Sequence, residues 1–166
     1  MEEKRKVLKT IMPLAVLKAM TPSAIQSVPQ TMLIDDFIAI RKFPFRVGRE
    51  SRVKIVDGRI ERIERVMANS VTPNNDLYLI DDGHLLNISR EHFQIEKNGK
   101  SYYLYDRGSA CGTFVGENPV GGDDEDRDET VELKDGDTIK IGTSKSPYIF
   151  KFIVLEGFEI EEIGQR

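Results

Sequence analysis

The sequence predicts an all-β fold, an antiparallel β-sandwich of about 10–11 strands. Short β-branched and aromatic segments recur from Met32 to Leu155, separated by turn residues such as Asn98-Gly99, Asp135-Gly136 and Gly142. No long helix interrupts that punctuation, which is the pattern of two sheets sharing one core. The chain has 166 residues, 39% of them hydrophobic, enough to bury one core of ordinary domain size.

Taken in order, residues 1–30 read as a helical tail and linker. Val7, Leu8, Ile11, Ala15 and Lys18 fall at helical spacing, with Thr10 as a cap and Pro13 tolerated in a first turn. Thr21-Pro22 and Pro29 then punctuate a linker. Lys4, Arg5, Lys6 and Lys9 precede an apolar run from Ile11 to Leu17, a faint echo of a secretory signal that reaches Lys18 without a small-residue cleavage site. No run approaches the ~20 apolar residues of a membrane span.

The sandwich is expected over residues 31–156, with strands near 33–34, 37–40, 43–47, 77–80, 92–96, 101–105, 114–115, 130–133, 138–141 and 148–155. Two insertions interrupt it, at 50–76 and 117–129. In the first, Ile60, Ile63, Val66 and Met67 recur at helical spacing with Glu61 and Arg65 four apart, which predicts a helical insertion. The second holds Gly121-Gly122-Asp123-Asp124-Glu125-Asp126 and reads as a solvated acidic loop. Residues 157–166 form a C-terminal tail.

Composition narrows the function. Lys and Arg number 24 against 28 Asp and Glu, a net charge of −4 with a pI near 5.3, so general nucleic-acid binding is not expected. Cys111 is the one cysteine. It permits no internal disulfide and no thiolate metal site, and it suits a reducing, cytoplasmic setting. With His84 and His92 the only histidines, no metal or cofactor is expected. Ser89 and His92 have the spacing of a nucleophile and base, but His92 opens a strand and no third group is evident, so no enzymatic activity is expected.

The most informative residues are Ser89-Arg90-Glu91-His92-Phe93-Gln94, then Gly108-Ser109-Ala110-Cys111-Gly112-Thr113-Phe114-Val115, with Arg46-Val47-Gly48-Arg49 upstream. They set a guanidinium, a hydroxyl and turn backbone just outside predicted strands, at one end of the sandwich. A phosphate ester carries nearly two negative charges and three strong acceptor oxygens. Arg49 supplies a charge-assisted donor and Ser89 a hydroxyl, while the backbone around Arg90 and Ala110 is a source of N–H groups. Gly48-Arg49 alone would be a turn before a solvated side chain, and Ser89 alone a strand start or turn cap.

These motifs together resemble the forkhead-associated (FHA) family, over roughly Met32 to Leu155. The matching stretches are Gly48-Arg49, Ser89-Arg90-Glu91-His92, Asp106 to Val115, and Asp135 to Gly142. The resemblance implies an FHA/SMAD-like sandwich that binds a phosphothreonine-containing protein or peptide, a substrate of a Ser/Thr kinase, in signal transduction. It implies phosphate contacts at Arg49 and Ser89, with Arg90 beside them, and peptide-facing positions at Ala110 and Cys111. Gly48 and Gly112 would serve turns, and His92 would hold the Ser89 loop in place. Cys111 departs from the family's usual Asn, which bonds the peptide backbone; a thiol is a weak donor and a poor acceptor. The alternative is an FHA-like domain that holds its partner independently of phosphate.

Overall fold

Burial alternates with period two through most strands, because one face of each sheet meets the core and the other meets solvent. A computed structural model describes residues 1–62 and 73–161. In chain order its strands are β1 (Ala15–Ala19), β2 (Leu33–Ile34), β3 (Phe37–Ile40), β4 (Phe45–Arg49), β5 (Val53–Val56), β6 (Arg59–Arg62) and β7 (Leu77–Leu79). There follow β8 (Phe93–Asn98), β9 (Ser101–Asp106), β10 (Thr113–Val115), β11 (Asn118–Val120), β12 (Thr130–Leu133), β13 (Thr138–Ile141) and β14 (Ile149–Val154).

Seven strands form one sheet in the order β11-β10-β13-β14-β1-β3-β2, and five form the other in the order β12-β9-β8-β4-β7. All pairs within these sheets are antiparallel except β4 and β7, which run parallel with Gly48 opposite Tyr78. Leu17, Ile38, Ile40, Phe150 and Phe152 from the first sheet meet Val47, Leu77, Leu79, Phe93, Ile95 and Leu104 from the second in one buried cluster. The predicted β-sandwich is therefore the observed fold.

The N-terminal reading needs correction. Helix α1 runs only from Glu2 to Ile11 and buries no residue. Pro13 lies beyond its end rather than in a first turn, since proline removes an N–H and pushes the preceding residue into extended geometry, as at Met12. Ala15 to Lys18 do not continue the helix. They form β1, an inner strand paired with both β14 and β3. Residues 21–30 are likewise more than a linker. Helix α2 (Pro22–Ser27) is capped by Thr21, whose Oγ1 accepts from the Ala24 N–H, and the Ser27 carbonyl accepts from Ile80 N–H just past β7.

The first insertion is also different where it is described. β5 and β6 form a hairpin around Asp57-Gly58, both at positive φ, the backbone that an Asp-Gly turn favours. Ile60 thus lies on a strand; Ile63, Val66 and Met67, on which the expected helix also rested, lie outside the described residues. In the second insertion β11 pairs with β10, and Gly121 is buried, while Asp123 to Asp126 are exposed. Among the described residues no helix is long and apolar enough to cross a membrane.

Because β1 lies in the core and α1 does not, their truncations should separate. Leu17→Ala is expected to cost about 2–4 kcal/mol, whereas Val7→Ala on the exposed helix should stay within ~0.5 kcal/mol of wild type. Urea denaturation of both variants checks this.

Candidate functional site

At one end of the sandwich three segments converge: the end of β4, the loop between β7 and β8, and the turn between β9 and β10. A buried imidazole joins two of them. His92 has no solvent exposure. Its Nδ1 accepts the Ser89 N–H at 2.9 Å, which leaves the proton on Nε2, donated to the Gly112 carbonyl at 2.8 Å. Burial holds this imidazole below its usual pKa of 6.5, against the opposing pull of the Gly112 bond and of Asp106 and Asp81. The same Gly112 carbonyl accepts from Gly142 N–H, so the end of β13 is tied in as well.

Ser89 is placed by this tie. Its carbonyl accepts the Arg49 N–H at 2.9 Å, and its Oγ accepts the Ala110 N–H at 3.0 Å. A hydroxyl that accepts at one lone pair still has its own proton to donate. Arg49 lies beside it, its Nε donating to the Ile88 carbonyl at 2.9 Å. Among the described residues no carboxylate pairs with the Arg49 guanidinium. Arg90 is exposed next in sequence.

Two expected contributions take another form. The Ala110 N–H is already given to Ser89, so Ala110 orients the hydroxyl rather than offering a free donor. Gly48 serves no turn: it sits inside β4, where a Cβ would come within 2.0 Å of the Arg90 carbonyl oxygen, so glycine is needed to let the Arg90 segment pass. Gly112 does occupy a turn, at φ +73, with the Val120 and Gly121 carbonyls at 2.8 Å from a Cβ. Cys111 is half-buried, and its Sγ lies 3.4 Å from the Leu86 carbonyl, which places it against the β7–β8 loop.

Several supports escaped the sequence reading. Asp81 is buried and accepts from Gly83, Asn87 and Ile88 N–H groups and from the Tyr148 hydroxyl, which shapes the loop that ends at Ser89. Burial pushes the Tyr148 phenol far above its ordinary pKa, and the Asp81 bond adds to this. Asn75 donates to the Arg90 carbonyl at 2.8 Å and accepts from Arg107, which also bridges to Glu91 at 3.4 Å. Asp106 accepts from Gly108 and Ser109 N–H groups and from the Ser109 hydroxyl. The readable signal was local: a carboxylate two or three residues before Gly or Ser is an Asx-turn pattern.

The FHA domain family profile matches residues 45–142, more than half of the chain, from the start of β4 to just past β13. The chain belongs to the FHA domain family. FHA domains are interaction modules, and in this one the converging loops lie inside the matched span. Solved structures share the fold. The solution structure of the FHA domain of an Arabidopsis thaliana hypothetical protein is 20% identical, with a TM-score of 0.50 over 91% of this chain and 92% of that one. Full-length yeast Pml1p is 14% identical, with a TM-score of 0.51 over 92% and 91%. The FHA domain of CT664 from Chlamydia trachomatis is 18% identical, with a TM-score of 0.48 over 84% and 95%. Curated proteins yield no match to this FHA domain.

The buried imidazole gives a pH signature. Unfolded, His92 takes up a proton near its usual pKa; folded, it resists protonation to a lower pH. Stability is therefore complete above about pH 6.5 and is lost as the pH falls below that value towards the folded-state pKa. Thermal melts from about pH 7 to about pH 5 should show a falling Tm in wild type and a flatter profile in His92→Asn.

Proposed function

We propose that this FHA domain recognises phosphothreonine-containing segments of a partner protein, so that association follows the action of a Ser/Thr kinase. One observation carries the reading: the Ser89 hydroxyl, fixed as an acceptor for Ala110 N–H, keeps its proton for a ligand beside the Arg49 guanidinium. A dianionic phosphate wants that pair, a hydroxyl donor and a delocalised cation. Arg90, exposed on the same loop, adds a second cation.

Binding rather than catalysis is the activity proposed. His92 gives both ring nitrogens to backbone partners and meets the Ser89 N–H, not its hydroxyl, so it is spent as a brace. A cytoplasmic signalling role fits the lone Cys111, and the partner is the phosphoprotein itself. Cys111 favours a second reading, a domain that holds its partner without phosphate, because its thiol turns to Leu86 and offers a peptide backbone little.

A degenerate phosphothreonine peptide library with an unphosphorylated control separates the two readings. Arg49→Ala should weaken phosphopeptide binding tenfold or more, the loss of a charge-assisted bond worth roughly 1.5–3 kcal/mol, with little change in Tm; calorimetry and melting of the same sample check both. Cys111→Asn should strengthen binding by ~0.5–1.5 kcal/mol, since an amide both donates and accepts. Equal calorimetric affinities for that variant and wild type would take position 111 off the peptide surface.

A further inference from the structure

The outer face of the seven-stranded sheet is charged in a way that its fold does not explain. None of its seven strands contains an Asp or Glu, although acidic residues outnumber basic ones in the whole chain, 28 to 24. Lys18 on β1 stands directly opposite Lys151 on β14. Lys151 is in turn paired with Thr138, two residues before Lys140 on the same face of β13. Three half-exposed lysines thus share one patch across three adjacent strands. Like charges directly opposite on a sheet destabilise it.

Lys140 Nζ donates to the Ser144 carbonyl at 2.9 Å, which leaves its charge uncompensated. Among the described residues no carboxylate pairs with Lys18, Lys140 or Lys151. Of the carboxylates at the rim, Asp135 accepts from Val154 N–H and Asp137 from Lys134 N–H. The apolar neighbours are aliphatic and aromatic, with Ile149 opposite Lys140 and Phe37 opposite Lys18. Lys18 lies 6.0 Å from the Phe37 ring centroid and Lys140 lies 6.0 Å from Phe114, while Arg127, 5.6 Å from Phe114, is paired with Asp124 at 3.7 Å. Cations held along aromatic and aliphatic surface keep their heads in water while their stems stay ordered.

We propose that this face is a second docking surface, and that its occupant is an acidic segment of a partner protein laid across β13, β14 and β1. Charge complementarity selects the occupant: carboxylates relieve the Lys18–Lys151 repulsion, and apolar side chains between them rest on Phe37 and Phe114. The surface lies on the flat of the sheet, apart from the loops that carry Arg49 and Ser89, and needs no phosphate. A phosphothreonine partner with an acidic stretch would reach both, and two weak contacts on one chain raise affinity well beyond either alone.

The test is a titration of the full chain with poly-L-glutamate at low salt, read by amide shifts in nuclear magnetic resonance. Shift changes should map to β1, β13 and β14 and fade as salt rises. Lys151→Glu turns the opposed like charges into an opposite pair, so it should melt about 1–3 °C higher while binding poly-L-glutamate at least tenfold more weakly. Lys18→Gln, which removes the repulsion without adding an attraction, should weaken binding with a smaller rise in Tm, and Lys140→Gln, opposite Ile149, should weaken binding with no rise. Three results would overturn the proposal: shifts centred on Arg49, Ser89 and Arg90, undiminished binding by the charge-reversed variant, or a preference for anionic vesicles or duplex DNA over poly-L-glutamate.

Discussion

One neutral imidazole, sealed from solvent, holds one end of this molecule together. His92 accepts from one loop and donates to another, so the position of the Ser89 hydroxyl depends on the turn at Gly112, and that turn on the end of β13. A charged imidazole would have two donors and no acceptor, and the Ser89 N–H would then face a proton instead of a lone pair. Burial suppresses that state. The interior of the sandwich thereby does chemistry for its rim, because the desolvation that keeps His92 neutral also keeps the two loops in register.

Around that brace, backbone carbonyls and carboxylates do most of the positioning. Asp81 gathers the Gly83, Asn87 and Ile88 amides, and Asp106 gathers those of Gly108 and Ser109. Loops built this way offer a ligand few surplus donors, which sharpens the contrast with Arg49 and Arg90. Burial alone would raise the Asp76 carboxyl, yet its bonds with Arg46 outweigh this and hold it below its ordinary pKa. Arg46 is consumed in that pair and Arg107 by Asn75 and Glu91. Among the described residues the Nη groups of Arg49, three residues from Arg46, take no partner.

The strands of this FHA domain were legible where alternation and turn chemistry agree: the pair expected at 92–96 and 101–105 is observed at 93–98 and 101–106, joined by Gly99-Lys100, one residue past the expected Asn98-Gly99 turn. β1 was not, because Ala-Val-Leu-Lys-Ala is short, has no β-branched run and sits inside a sheet, so its helical spacing was accidental and tertiary pairing decided its state. β11 was hidden by Pro119, tolerated because β11 is an edge strand. At the candidate site, side-chain type and spacing pointed to Arg49, Ser89, Arg90 and His92. What sequence could not supply was the use of each backbone group. That Ala110 N–H is spent on Ser89, or that Gly48 exists for a passing carbonyl, becomes visible only when segments far apart in the chain are brought into contact.

The brace can be observed directly through the side-chain nitrogens of His92 in 15N-labelled protein. At neutral pH the account predicts a neutral ring protonated at Nε2, with Nδ1 coupled across the hydrogen bond to the Ser89 amide, and this state persisting below pH 6.5, the usual imidazole value. A ring protonated at Nδ1, or an imidazolium at neutral pH, would contradict it, for neither leaves an acceptor facing Ser89.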